Sequence, residues 1–201
     1  GLGYIGTELC KIYSGISWNS KITVIDNRFI SERVNQLRNW NINFVHGDIL
    51  DKKLINEYCK DADIVHHLAG ITDVPRVKSE TSEINDNKIK IVAEEGTQNI
   101  LDSISNKCKI IFPSTHVVYE GIDGVIKDIN EEDETKPVLS YALSKAFNEN
   151  QLKNSGKKYI ILRLGSVYGY SGDTARIDIM PNLFSKIASQ NGTLKLFAGG
   201  R

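Results

Sequence analysis

Short apolar runs rich in β-branched residues alternate along the chain with longer stretches of helical period. The runs at 21–26, 42–46, 63–68, 109–112 and 158–163 predict strands, and the stretches at about 4–14, 30–39, 51–60, 83–105, 141–154 and 177–190 predict helices. Each run is nearly continuously apolar, as strands are in a parallel sheet covered by helices on both faces. The repeated strand–helix alternation therefore predicts a doubly wound α/β fold of the Rossmann type. Residues 120–138, with many Gly, Asp and Glu, read as a solvated connection across the surface, with a lid as the alternative use.

A chain of 201 residues suits one such domain, or one domain and part of another. The 25 basic residues balance 25 acidic ones, which excludes a broad electrostatic footprint for nucleic acid or an anionic membrane. No apolar run approaches the roughly 18 residues of a membrane-spanning helix. Cys10, Cys59 and Cys108 are scattered and lack a C-x-x-C spacing, so they read as reduced core thiols in a cytoplasmic protein. No signal peptide is visible, and the chain opens on Gly1 rather than Met.

Two constellations carry chemistry. The first is Gly1-Leu-Gly3-Tyr4-Ile5-Gly6, which leads directly into a helix. Glycines there permit a tight turn and let backbone amides approach a pyrophosphate at the positive end of the helix. Asp26 follows Gly6 by 20 residues, at the end of the next strand, the offset of an acid that accepts from the adenosine ribose. A carboxylate at that point favours NAD, while nearby Arg28 keeps NADP as a second option. Asp48 has two open readings, an acceptor for adenine or an N-cap for the helix at 51–60. His66 and His67 alternate to opposite faces of their strand, so they read as structural residues rather than a shared metal site. Ala69 and Gly70 are small enough for a cofactor to approach the strand end.

The second constellation is Ser114-Thr115 with Tyr141 and Lys145. Tyr141 and Lys145 are four apart, hence stacked on one helical face. A free tyrosine, with a pKa near 10, is a poor base at neutral pH, and a fixed ammonium beside it favours the phenolate. Thr115 leaves the end of a strand, where such sheets bind ligands, and its hydroxyl can hold a substrate oxygen.

Taken in this order, these residues resemble the extended short-chain dehydrogenase/reductase family, the NAD-dependent epimerase/dehydratases that act on nucleotide sugars. The resemblance runs on through Val24-Ile-Asp-Asn27, Gly47-Asp-Ile49, His67-Leu-Ala-Gly70, Gly96-Thr97, Arg163-Leu-Gly-Ser-Val-Tyr-Gly169 and Pro181-Asn-Leu-Phe184. It implies that Gly1, Gly3, Tyr4, Ile5 and Gly6 line the pyrophosphate of NAD. Asp26 and Asn27 would take the adenosine ribose, Asp48 and Ile49 the adenine, and Leu68, Ala69 and Gly70 the middle of the cofactor. Tyr141 would be the acid/base, Lys145 its electrostatic partner and nicotinamide-ribose anchor, and Thr115 the group that orients substrate. Family members carry one more glycine before this turn, after a first strand that forms the centre of the sheet. They also continue past residue 201 into a substrate-binding region. The resemblance therefore makes the chain a fragment, with a cofactor domain at 1–165 and the start of a substrate region at 166–201. It also implies a homodimer, for which the helices at 84–104 and 141–152 are candidates.

Departures from the family narrow the reaction. His116 and Val117 follow Thr115 where the sugar 4,6-dehydratases have an Asp-Glu pair, and Val117 replaces the Glu of the sugar-acid decarboxylases. The remaining reading is an epimerase that oxidises a sugar carbon transiently, taking hydride onto NAD and returning it to the opposite face. A reductase or dehydrogenase of the same family is the alternative. A non-catalytic NAD-binding regulator is the third reading, against which the intact Tyr141/Lys145 pair argues. His116 reads as a packing or surface residue rather than a replacement acid. Pro113, Ala93 and Ser166 also depart from the pattern; Ser166 stands for an Asn that touches the substrate diphosphate and keeps a hydroxyl donor.

Overall fold

The structure is a computed structural model, which describes residues 1–16, 20–72, 82–171, 176–177 and 179–196. Within the range 166–201, residues 172–175, 178 and 197–201 lie outside the described set. In chain order the elements are α1 (Tyr4–Ser14), β1 (Thr23–Asp26), α2 (Ser31–Asn39), β2 (Asn43–His46), α3 (Lys52–Cys59), β3 (Ile64–His66), α4 (Glu83–Ser103), β4 (Lys109–Thr115), a 3₁₀ turn (His116–Tyr119), α5 (Ser140–Asn154), β5 (Lys158–Leu164) and α6 (Met180–Ser189). All eleven of the predicted helices and strands are present. Local chemistry fixes several boundaries. The Asp51 carboxylate accepts from the Lys53 and Leu54 amides and so caps α3. Ser82 caps α4 through the Asn85 amide. Pro181, which has no N–H to offer, is tolerated only in the first turn, and α6 accordingly starts at Met180 rather than at 177.

The strands are parallel throughout and fall, among the described residues, into two sheets, β1–β2 and β3–β4–β5. Helix α1 joins the two halves: Cys10 packs with Val24 of β1 in one core cluster, and Tyr13 shares a 2.8 Å hydrogen bond with His66 of β3. A second cluster gathers Ile55 and Cys59 of α3, Ile100 and Leu101 of α4, Ile110 and Phe112 of β4 and Leu152 of α5. Cys10, Cys59 and Cys108 are free and buried, as their spacing implied. No described helix is long and apolar enough to cross a membrane.

One expectation needs correcting. The strands are not all covered on both faces, because Ile160 and Leu162 of β5 remain 40% and 42% exposed. Among the described residues β5 is an edge strand, paired only with β4. The connection at 120–138 is tied down at both ends rather than free. Glu120 accepts from the Val138 and Leu139 amides at 2.8 and 2.7 Å, and Tyr119 donates to the Asn130 carbonyl at 2.7 Å.

Candidate active site

Because the strands are parallel, Asp26, His66, Thr115 and Leu164 all end on the carboxyl edge of their sheets. A cleft of about 2150 Å³ opens there, lined by Gly3, Asp26, Thr115, Tyr141, Lys145 and Arg176 among others. Tertiary folding thus brings the two sequence constellations, more than a hundred residues apart, onto one cavity.

At the glycine turn the three glycines have different reasons to exist. A Cβ on Gly1 would lie 2.1 Å from Val24 Cγ1, and one on Gly6 would lie 2.0 Å from the Gly1 carbonyl oxygen. Those two positions are closed to larger residues by packing. A Cβ on Gly3 would instead meet only Arg28 Nη2, at 3.8 Å. That open space adjoins the N-terminus of α1, where no side chain caps the first amides. A cradle of free amides with room above it fits a dinucleotide's pyrophosphate. The Leu2 amide donates to Asp26 Oδ2 at 2.7 Å, while the Arg28 amide and Nε donate to Oδ1 at 2.9 and 3.2 Å. Burial opposes the charge, but the Arg28 side chain and the Arg28 and Leu2 amides hold the Asp26 carboxyl below the usual carboxylate range.

The other cofactor candidates surround this turn. Asn27 donates to Asp48 Oδ2 at 2.9 Å, and the Leu50 amide donates to Asp48 Oδ1 at 2.9 Å. The N-cap reading of Asp48 is thereby replaced: it closes a turn, and Asp51 does the capping. Ile49 rests against Gly96 of α4, where an added Cβ would lie 2.8 Å from Ile49 Cγ2. Among the described residues a Cβ on Gly70 would meet nothing within 4 Å, which leaves room at the strand end after Leu68 and Ala69. The Tyr4 side chain does not stay at the turn; its hydroxyl donates to the Gly169 carbonyl at 2.8 Å. Ile5 and Ser166 are exposed. The two histidines take separate partners: His66 pairs with Tyr13, and buried His67 shares a 2.8 Å hydrogen bond with Thr97. Burial, with Lys145 nearby, pushes His67 down to about 3, so it is neutral.

Tyr141 lies in the first turn of α5 and Lys145 one turn further on, with the ammonium 5.8 Å from the centre of the Tyr141 ring. Lys145 is 9% exposed; its Nζ donates to the Pro113 carbonyl at 2.9 Å and sits 4.4 Å from the centre of the Phe112 ring. Burial lowers its pKa to about 8. Two influences on the protonation of Tyr141 are visible in the fold. Burial pushes the phenol upward, and the charge that pulls it back down is Arg176. The ammonium uses one of its three donors on Pro113 and lies over the Phe112 face, while Arg176 comes from a segment that sequence spacing does not connect to α5. Thr115 is buried at the end of β4, and its Oγ1 accepts from the Val117 amide at 3.3 Å. His116 is exposed, and its Nδ1 donates to the Leu164 carbonyl at 3.1 Å.

Ser114 alternates with Thr115 along β4, and its hydroxyl donates to Glu149 Oε1 at 2.5 Å. Glu149, 3% exposed in its side chain, also receives Arg163 Nε at 3.1 Å and Nη2 at 2.7 Å. Arg163 Nη1 donates onward to Tyr119 OH and to the Glu131 carbonyl. Sequence reasoning passed over this network, although its signal was available: Tyr141, Lys145 and Glu149 repeat every four residues on one stripe of α5.

The buried ammonium has a measurable consequence. The folded pKa of Lys145, about 8, lies below its ordinary 10.5. Between those values the unfolded chain binds more protons, so this group makes stability rise with pH there, and its cost is fully present below pH 8. In the intact protein, thermal unfolding from pH 7.5 to 10 should show a gain that Lys145→Met lacks. Parallel curves for the two proteins would show that the ammonium is not desolvated.

The family model for "NAD dependent epimerase/dehydratase family" matches residues 1–201. The chain belongs to that family. It is 27% identical to a UDP-N-acetyl-alpha-D-glucosaminuronate decarboxylase of Bacillus cytotoxicus, over 100% of this chain and 63% of that protein. It is 29% identical to the UDP-glucose 4-epimerase of Mycoplasma genitalium, over 94% of this chain and 59% of the other. Among solved structures, a UDP-glucose 4-epimerase from Brucella ovis in complex with NAD is 26% identical, with a TM-score of 0.67, over 88% of this chain and 52% of that one. The chain thus spans about three fifths of the length of the curated relatives it matches. Membership accounts for the free amides and open space at Gly3: the family is NAD-dependent.

Proposed function

We propose that the intact protein is an NAD-dependent epimerase acting on a nucleotide sugar. The observation that carries the reading is the meeting of Tyr141, Lys145 and Thr115 with the glycine turn and Asp26 on one cleft. Relatives that are named for UDP-sugar chemistry support the substrate class. When bound, NAD supplies the oxidising and reducing power. The chain's residues supply the rest. The amides that open α1 would hold the pyrophosphate and Asp26 a ribose hydroxyl, while Lys145 would anchor the second ribose. Thr115 Oγ1 would orient the sugar oxygen, and the Tyr141 phenolate would take the proton from that hydroxyl and later return it.

Two residues favour epimerisation over dehydration or decarboxylation. Both of those reactions need an acid or base beyond the tyrosine, and Val117 has no proton to give. His116 is turned to the Leu164 carbonyl by its Nδ1–H, which leaves it a backbone role. The test is a panel of UDP- and dTDP-sugars offered to the intact protein, with proton NMR of the products. Inversion at one ring carbon, without added cofactor and with NAD carried by the purified protein, is the expected result. Loss of water or carbon dioxide would overturn the assignment, and net oxidation that consumes added NAD would assign a dehydrogenase instead.

A further inference from the structure

Tyr4 and Glu8 stand four residues apart on one face of α1, in its first two turns. Neither side chain is spent within its own helix. Tyr4 donates to the Gly169 carbonyl at 2.8 Å, and Glu8 Oε1 accepts from Ser171 Oγ at 2.6 Å. Both bonds land on the three residues 169–171, of which Ser171 is only 3% exposed. The opposite side of that segment is held from α6. The Gly169 amide donates to Asn182 Oδ1 at 3.0 Å, and Asn182 Nδ2 donates to the Arg176 carbonyl at 2.8 Å. Gly169 has φ +134°, a conformation that side-chain-bearing residues rarely adopt, so the turn here is specific.

The helix whose first amides face the cofactor cradle is therefore the same helix that pins the segment after β5. Ser166 lies before the pinned turn and Arg176 after it, and both line the cleft. We propose that Tyr4 and Glu8 are positioning residues: they tie the seating of the dinucleotide on α1 to the geometry of residues 166–171 and, through Asn182, to Arg176, so that cofactor and nucleotide sugar bind cooperatively. The physical route is shared ordering. A ligand that positions α1 also positions, through two hydrogen bonds, the segment the second ligand meets, and the coupling is reciprocal. This rests on the nucleotide-sugar reading above.

The experiment is calorimetric titration of the intact, cofactor-stripped protein with UDP, in the absence and presence of saturating NAD. Wild type should bind UDP more tightly with NAD, by a factor within the about 5–150-fold range of such couplings. Tyr4→Phe and Glu8→Ala should each lower that ratio, and the double variant should bring it close to one. Glu8→Ala, which touches no proposed cofactor contact, should leave the NAD affinity of the UDP-free protein within about twofold; a merely structural role would lower both affinities and keep the ratio. A ratio of one in wild type, or the wild-type ratio kept in both variants, overturns the coupling alone. Failure of UDP to bind under either condition overturns the nucleotide-sugar reading and the coupling with it.

Discussion

Tyr141→Phe in the intact protein should lower turnover by about 10²–10⁴-fold, the usual contribution of a positioned acid/base, while leaving cofactor binding intact. The phenyl ring keeps the packing of the first turn of α5 and removes only the hydroxyl. The pH profile carries the sharper information. Burial holds the Tyr141 phenol above its ordinary value, and the charge of Arg176 acts against that. An Arg176→Gln variant should therefore move the alkaline-side rise of activity to higher pH, whereas Tyr141→Phe should abolish that rise. Measuring initial rates from pH 6 to 10 checks both. Near-wild-type turnover in Tyr141→Phe would remove the tyrosine from the chemistry.

Breaking the ion pair beneath the site should cost stability. Glu149→Leu leaves the Arg163 guanidinium, 9% exposed in its side chain, without its bidentate carboxylate, and Ser114 without its acceptor. Removing one partner of a buried pair costs roughly 3–5 kcal/mol, chiefly because the other charge is left uncompensated. Glu149→Leu combined with Arg163→Met should recover part of that loss, since no lone charge then remains. Urea unfolding of the four proteins completes the cycle, and strictly additive losses would show that the pair is not coupled. The pH dependence has a definite sign. Burial would raise the Glu149 value, but Arg163 and Ser114 hold it below the ordinary one. Its contribution is present above the unfolded carboxylate value of about 4.3 and is lost as pH falls through the folded value.

Much of the fold was legible because period and caps are local properties. The strand runs, the α3 start beside Asp51 and the α4 start beside Ser82 follow from residues within a few positions of each boundary. Asp26 was found by its offset from the glycine turn, and Tyr141 with Lys145 by their helical spacing. The exposed face of β5 that carries Ile160 and Leu162 was not legible, because coverage depends on what packs against a strand and not on its own apolar run. Asp48 was ambiguous for a related reason. An acid a few residues before a helix can cap it or close the turn ahead of it, and here Asp51 is the nearer competitor.

By itself, then, the order of residues determined the kind of layers this chain builds, and it singled out a glycine turn and the Tyr141 hydroxyl as candidates for cofactor binding and acid/base work. Only the tertiary structure decided which charges and which burial surround that hydroxyl. Electrostatic influence acts through space and falls with distance and solvent, so it depends on which charges arrive from distant segments and where they point. Lys145 turned to Pro113 and Phe112, Arg176 came in from beyond β5, and the side chain of Tyr4 left the turn to hold Gly169.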